Sequence, residues 1–267
     1  MSGTRPILGA FDQGGVPTIA CFNQAATPLG VKLNDLIEAM QAYVDQHVAP
    51  VWGTPAKLVK STGFLKDAWA VAFLDDADQP GALAYHDLTP DGLPLSKVFV
   101  RTTLAQGDLV SVSASHELVE MLVDPAINIM TTGPDPKTMY AYESADPVEE
   151  LHFDVNGLAM SDFVFPSYFE AFRKPRSVRF DHLDKVTKPF EILSGGYQIV
   201  FKHGRWTQVF ASASKEKRFA REDRRGHRSE TRETGKLVRT SDRQLARVKQ
   251  RQETGVPIYA APAGVSR

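Results

Sequence analysis

The sequence predicts an α+β domain, a mixed sheet packed on two helices, followed by a basic and mostly disordered C-terminal tail. Three observations carry that expectation. Short β-like runs recur between residues 16 and 102, two longer stretches have the spacing of helices, and large apolar residues nearly vanish after Phe210. At 267 residues, 42% hydrophobic and 24% charged, the chain can bury a core without disulfides or cofactors. The composition break places a boundary near residue 212, dividing a domain over 1–212 from a tail over 213–267.

Taken in order, residues 16–22 follow a Gly-rich opening and read as a strand. Residues 31–48 read as a helix, with Leu33, Leu36, Ile37, Met40, Tyr43, Val44 and Val48 at helical spacing, and Pro50 is expected to end it. Runs at 56–60, 69–73, 82–85 and 98–102 read as strands separated by turn-rich segments. In one such turn, Asp76, Asp78 and Gly81 match the opening of a calcium loop. Pro80 interrupts its ligands and Asp87 stands where the bidentate glutamate belongs, so a solvated turn is the preferred reading. Asp108 is expected to cap a helix over 109–123, with Leu109, Val112, Leu118, Val119, Leu122 and Val123 near helical spacing and Asp124-Pro125 closing it. Residues 131–137 read as a loop, 140–142 as extended, and 143–154 as a polar cluster rich in carboxylates. Gly195-Gly196 introduces a hairpin, 197–201 and 206–210, around a turn at 202–205.

The single cysteine, Cys21, excludes an intramolecular disulfide and a cysteine-based zinc cluster, leaving His and carboxylates as the metal-ligating types. Its apolar surroundings mark it as a buried thiol. No run of about 18 apolar residues occurs, and the first residues carry no long apolar stretch behind a basic start. The expectation is a soluble, cytoplasmic chain with no membrane partner.

Within the second helix, His116-Glu117-Leu118-Val119-Glu120 carries the chemistry. Residues four apart share a helix face, so His116 and Glu120 can turn toward one cation, and Glu117, pointing aside, can take a proton from a metal-activated water. A catalytic zinc site needs a third protein ligand. The cluster at 143–154 is the nearest source, with Asp146 favoured over Glu143 and the other free to orient His116. Tyr140, Tyr142 and Tyr168 are weaker candidates as donors to a developing oxyanion.

This pattern resembles a loosely characterised set of zincin-like proteins. In that set a His-Glu-x-x-Glu helix ending in Asp-Pro is followed by Glu-x-x-Asp, here Glu143-Ser144-Ala145-Asp146. The resemblance covers roughly residues 105–210, including Asn156-Gly157 and the run from Ser161 to Phe169. It implies a zincin-like active-site helix, a Zn²⁺ cofactor held by His116, Glu120 and Asp146 or Glu143, Glu117 as general base, and a peptide or protein substrate. Glu120 stands where ordinary zincins have a second histidine, which makes the site more anionic and lowers the Lewis acidity of a bound zinc.

From residue 215 to 251 the tail holds 14 Lys and Arg against 6 Asp and Glu, so a net charge of -1 conceals two halves of opposite sign. Two stretches, 215–225 and 241–251, can form partner-stabilised helices. The sequence therefore supports a metal-dependent hydrolase first. A non-catalytic zincin-fold binding or structural protein and a nucleic-acid-associated protein acting through salt-sensitive contacts of the tail are the alternatives.

Overall fold

A buried strand starts the architecture: β1 (Thr18–Asn23) places Ile19, Ala20, Cys21 and Phe22 out of solvent, and the sheet grows on both of its sides. The protein is described by a computed structural model over residues 15–78, 82–89 and 92–211. β2 (Lys57–Lys60) and β3 (Trp69–Leu74) flank β1 in parallel, β5 (Pro94–Phe99) joins β3 in parallel, and β4 (Ala84–Leu88) closes the edge antiparallel to β5. The order is β2-β1-β3-β5-β4. The molecule is thus α+β with a mixed sheet, as expected. A second, antiparallel sheet has the order β11-β10-β7-β6, built from β6 (Met130–Thr132), β7 (Met139–Ala141), β10 (Tyr197–Lys202) and β11 (Arg205–Phe210).

Two helices cover one face of the mixed sheet. The first, α1 (Leu33–Tyr43), buries Leu36, Ile37, Met40 and Tyr43, and runs through a π turn at Val44–Val48 into the short α2 (Ala49–Trp52). Pro50 therefore does not end the helical path. It occupies the first turn of α2, where its missing N–H costs nothing, and the widened turn before it relieves the clash with the preceding carbonyls. The path ends at Gly53, whose φ of 70° lets its N–H bond the Ala49 carbonyl at 2.9 Å. The strand expected at 98–102 lies earlier, and α3 (Val100–Ala105) takes over directly from β5. Strand and helix share apolar residues here, so periodicity in so short a run could not locate the switch.

The second major helix is α4 (Val110–Val123). Leu109, not Asp108, is its N-cap residue and makes no side-chain cap hydrogen bond. Its far end closes as expected: the Asp124 carboxylate accepts backbone N–H bonds from Asn128 (2.9 Å) and Ile129 (3.1 Å). One side of α4 packs on β4 and β5, the other on a hairpin of β8 (His152–Val155) and β9 (Leu158–Ser161). That hairpin turns through Asn156 and Gly157, with φ of 54° and 81°, the pair of positive angles that a two-residue turn of this hand demands.

A buried hydroxyl fastens helix to hairpin. Ser115 Oγ accepts the Ser161 N–H at 2.8 Å and lies 2.8 Å from the Ser111 carbonyl, to which it donates. Ser115→Ala strands a buried donor and is expected to lower the unfolding free energy by about 2 kcal/mol, measured by urea denaturation. A loss indistinguishable from zero would mean that β9 is held by packing alone.

Candidate metal centre

Because sheet and hairpin cover opposite sides, α4 is buried almost all round, and Val112 alone of its residues is half-exposed. The same enclosure takes His116, Glu117 and Glu120 out of water. Buried ionised groups need compensating charge, so the surroundings of these three decide what the helix can do.

A 3-10 turn at Asp146–Val148 lies beside the C-terminal half of α4. It brings Asp146 Oδ1 within 3.2 Å of His116 Nε2, while Glu120 Oε2 stands 3.6 Å from the same nitrogen. Ligands bound tetrahedrally to one zinc at 2.0–2.2 Å lie about 3.4 Å apart, so the three donors are spaced for a common ion. The other Glu120 oxygen, Oε1, accepts the N–H groups of Ala145 (3.2 Å) and Asp146 (3.4 Å), which fixes the carboxylate and points Oε2 at the imidazole. Asp146 Oδ2 is buried without a hydrogen-bond partner among the described residues. A buried, unpartnered carboxylate oxygen is what a site short of its cation would hold. His116, Glu120 and Asp146 could hold a metal ion.

Of the two candidates for the third position, Asp146 meets the helix and Glu143 does not join the group. Glu143 is also buried, and its charge acts on both Glu120 and Asp146. Asp146 faces the same ring nitrogen as Glu120, not the second one, which is the position a co-ligand would take and not that of an orienter of the ring.

Glu117 turns the other way, as its position on the helix requires. Its Oε2 lies 3.1 Å from Nδ1 of His86 on β4, and that nitrogen is also 3.7 Å from Glu120 Oε2. His86, Glu117 and Glu120 form a second buried group able to hold a metal ion. The sequence reading missed His86 because the strand was expected to stop at Tyr85. With β4 extended to Leu88, alternation puts Ala84, His86 and Leu88 on the face toward α4, a clue that existed only once the strand's true length was known.

The electrostatics follow from crowding. Burial, then the Asp146 carboxylate, pushes the Glu120 pKa well above the ordinary range, and burial also raises that of Asp146. Burial alone would lower His116, but Glu120, Asp146 and Glu117 outweigh it and raise its pKa to about 10. A cation binding at His116 Nε2 would have to displace a proton held there.

The other candidate residues have other partners. Tyr168 is fully buried and donates to the Glu191 carbonyl at 3.1 Å, Tyr142 stacks on Phe169 at 4.1 Å, and Tyr140 packs on Phe190. Asp76 pairs with Arg101 at 3.0 Å and Asp78 with Lys97 at 2.7 Å, while Gly81 falls outside the described residues. Cys21 is buried in β1, and burial pushes its thiol up to about 12, far from a nucleophile. Among the described residues no helix is long and apolar enough to cross a membrane. The expectations for the tail over 213–267, its helices at 215–225 and 241–251 and its nucleic-acid contacts, lie outside the described residues.

No family model matches the chain, and comparisons with curated proteins and with solved structures find no match either.

Proposed function

We propose that this chain is a zinc-dependent hydrolase of the zincin-like kind, acting on a peptide or other amide carbonyl. The meeting of one imidazole and two carboxylates, His116, Glu120 and Asp146, at 3.2 and 3.6 Å in the interior carries the reading. Their type and number suit a catalytic zinc, which takes three protein ligands and leaves a position open. Bound there, zinc supplies Lewis acidity, polarising a carbonyl and making water acidic near neutral pH.

The residues supply the rest. Glu117 is the general base, accepting a proton at its carboxylate, and His86 Nδ1, 3.1 Å away, sets the orientation of that carboxylate. The N–H groups of Ala145 and Asp146 hold Glu120 as a ligand whatever the substrate does. Burial of His116, Glu117 and Glu120 keeps bulk water from competing for these groups.

Metal content by mass spectrometry tests the reading, on the wild type after incubation with zinc and on five variants. His116→Ala, Glu120→Ala and Asp146→Ala are each expected to lose at least one zinc per chain, and Glu143→Ala none. Glu117→Gln is expected to keep the ion at His116 while hydrolysis of a mixed peptide library falls by about 10²–10⁴-fold. A wild type that takes up no zinc sinks the enzyme. Zinc uptake with no hydrolysis by any form leaves the non-catalytic binding protein in its place.

A further inference from the structure

The two metal-competent groups are joined at one atom. Glu120 Oε2 lies 3.6 Å from His116 Nε2 on one side and 3.7 Å from His86 Nδ1 on the other, so one carboxylate oxygen belongs to both. On the far side, His86 and Glu117 complete a set of one imidazole and two carboxylates, as His116 and Asp146 do on the near side. We propose that the centre is dinuclear: a second divalent transition-metal cation is held by His86, Glu117 and Glu120, with Glu120 bridging it to the first.

Three observations support the second ion. Its donors stand 3.1 and 3.7 Å apart, close to the edge of about 3.4 Å that a tetrahedral zinc imposes. Ser96 pairs with His86 across the β4–β5 register, so its side chain stands on the same face of the sheet. Its hydroxyl is fully buried with no hydrogen-bond partner among the described residues. Charge gives the third argument. Glu117, Glu120, Glu143 and Asp146 are all buried and carry a formal −4 when ionised; one divalent cation leaves −2 and two leave zero.

Ions bound to one oxygen at 2.0–2.2 Å are at most about 4.4 Å apart, which includes the spacing at which two metals act on a single substrate group. Imidazole with carboxylates suits zinc, iron or manganese better than calcium, which prefers six or more oxygens. The proposal rests on the hydrolase reading for its first ion only. Glu117 would use Oε2 toward His86 and the second ion, and its carboxylate has a second oxygen for proton transfer.

The test is zinc stoichiometry of the full chain, stripped by chelator and refilled with Zn²⁺ alone, followed by calorimetry and by metal analysis after desalting. Two zinc per wild-type chain are expected, one in His86→Ala and in Glu117→Gln, and none in Glu120→Gln. One zinc in the wild type overturns the second site, and this result does not depend on any variant folding. Two zinc in the wild type with one retained in Glu120→Gln overturns the shared oxygen. No zinc anywhere sinks the hydrolase reading as well, whereas one zinc lost in His116→Ala but kept in His86→Ala sinks the dinuclear centre alone.

Discussion

Gly196→Ala is expected to be among the most damaging single substitutions in the chain. A Cβ there would sit 2.4 Å from the Pro147 carbonyl oxygen, 2.7 Å from its carbon and 2.8 Å from the Asp146 carbonyl oxygen. All three are backbone atoms, so nothing flexible can swing away. The turn is seated from both directions: the Leu193 N–H bonds the Pro147 carbonyl at 3.0 Å, and the Gly196 N–H bonds the Leu193 carbonyl at 2.9 Å. Forcing a methyl group into this contact costs about 3 kcal/mol, the upper end for overpacking, and moves the turn that presents Asp146. Both stability in urea and zinc affinity should therefore fall. Gly195→Ala is the control. Its φ of 84° makes alanine strained by about 1–2 kcal/mol, but its new neighbour is the end of the Glu150 side chain, which can move. Equal loss of zinc affinity in the two variants would refute a special seat for Asp146 on Gly196.

The second large effect is a pH dependence lodged in a different pair of buried carboxylates. Asp162 is fully enclosed beside Asp181, and burial, reinforced by that neighbouring carboxylate, pushes its pKa up to about 8 from an ordinary 3.8. The folded chain holds a proton there that the unfolded chain releases near pH 4. Its stabilisation is complete below that pH and is lost as pH rises through 8. The loss between pH 5 and 8 is on the order of 3 kcal/mol. Asp162 Oδ1 accepts the N–H groups of Phe163 (2.8 Å) and Leu183 (3.2 Å), and an asparagine can keep both while remaining neutral. Asp162→Asn should match the wild type near pH 5, exceed it near pH 8, and flatten the difference curve in urea titrations. A difference that does not change with pH would show that Asp162 is ionised throughout.

Helical spacing marked the motif helix correctly because its apolar residues recur at the period of the α-helix, and Asp124-Pro125 marked its end because the carboxylate and the ring both stop helices. The hairpin at β10 and β11 was equally legible: His203-Gly204 is a turn pair whose positive φ angles glycine makes cheap. Asn156-Gly157 carries the same signal, but the strands it joins, β8 and β9, are only four residues each and adjoin a carboxylate-rich stretch that masks their alternation. Pro50 misled because a proline is a stop only if the helix before it keeps its width.

Sequence alone determined the mixed α+β character, the position of His116, Glu117 and Glu120 on one helix, and Asp146 as the preferred partner from elsewhere. The helix positions rest on local geometry, fixed by the helical repeat, whereas Asp146, favoured over Glu143, comes from the nearest carboxylate-rich stretch and from the family resemblance. Only the tertiary structure decided that His86 reaches Glu117, that Asp146 shares a ring nitrogen with Glu120, and that one glutamate oxygen lies between two histidines. Those relations join an edge strand, a helix and a 3-10 turn separated by about 30 residues each. They are set by how α4 is wedged between sheet and hairpin, and no periodicity along the chain encodes a distance across a core.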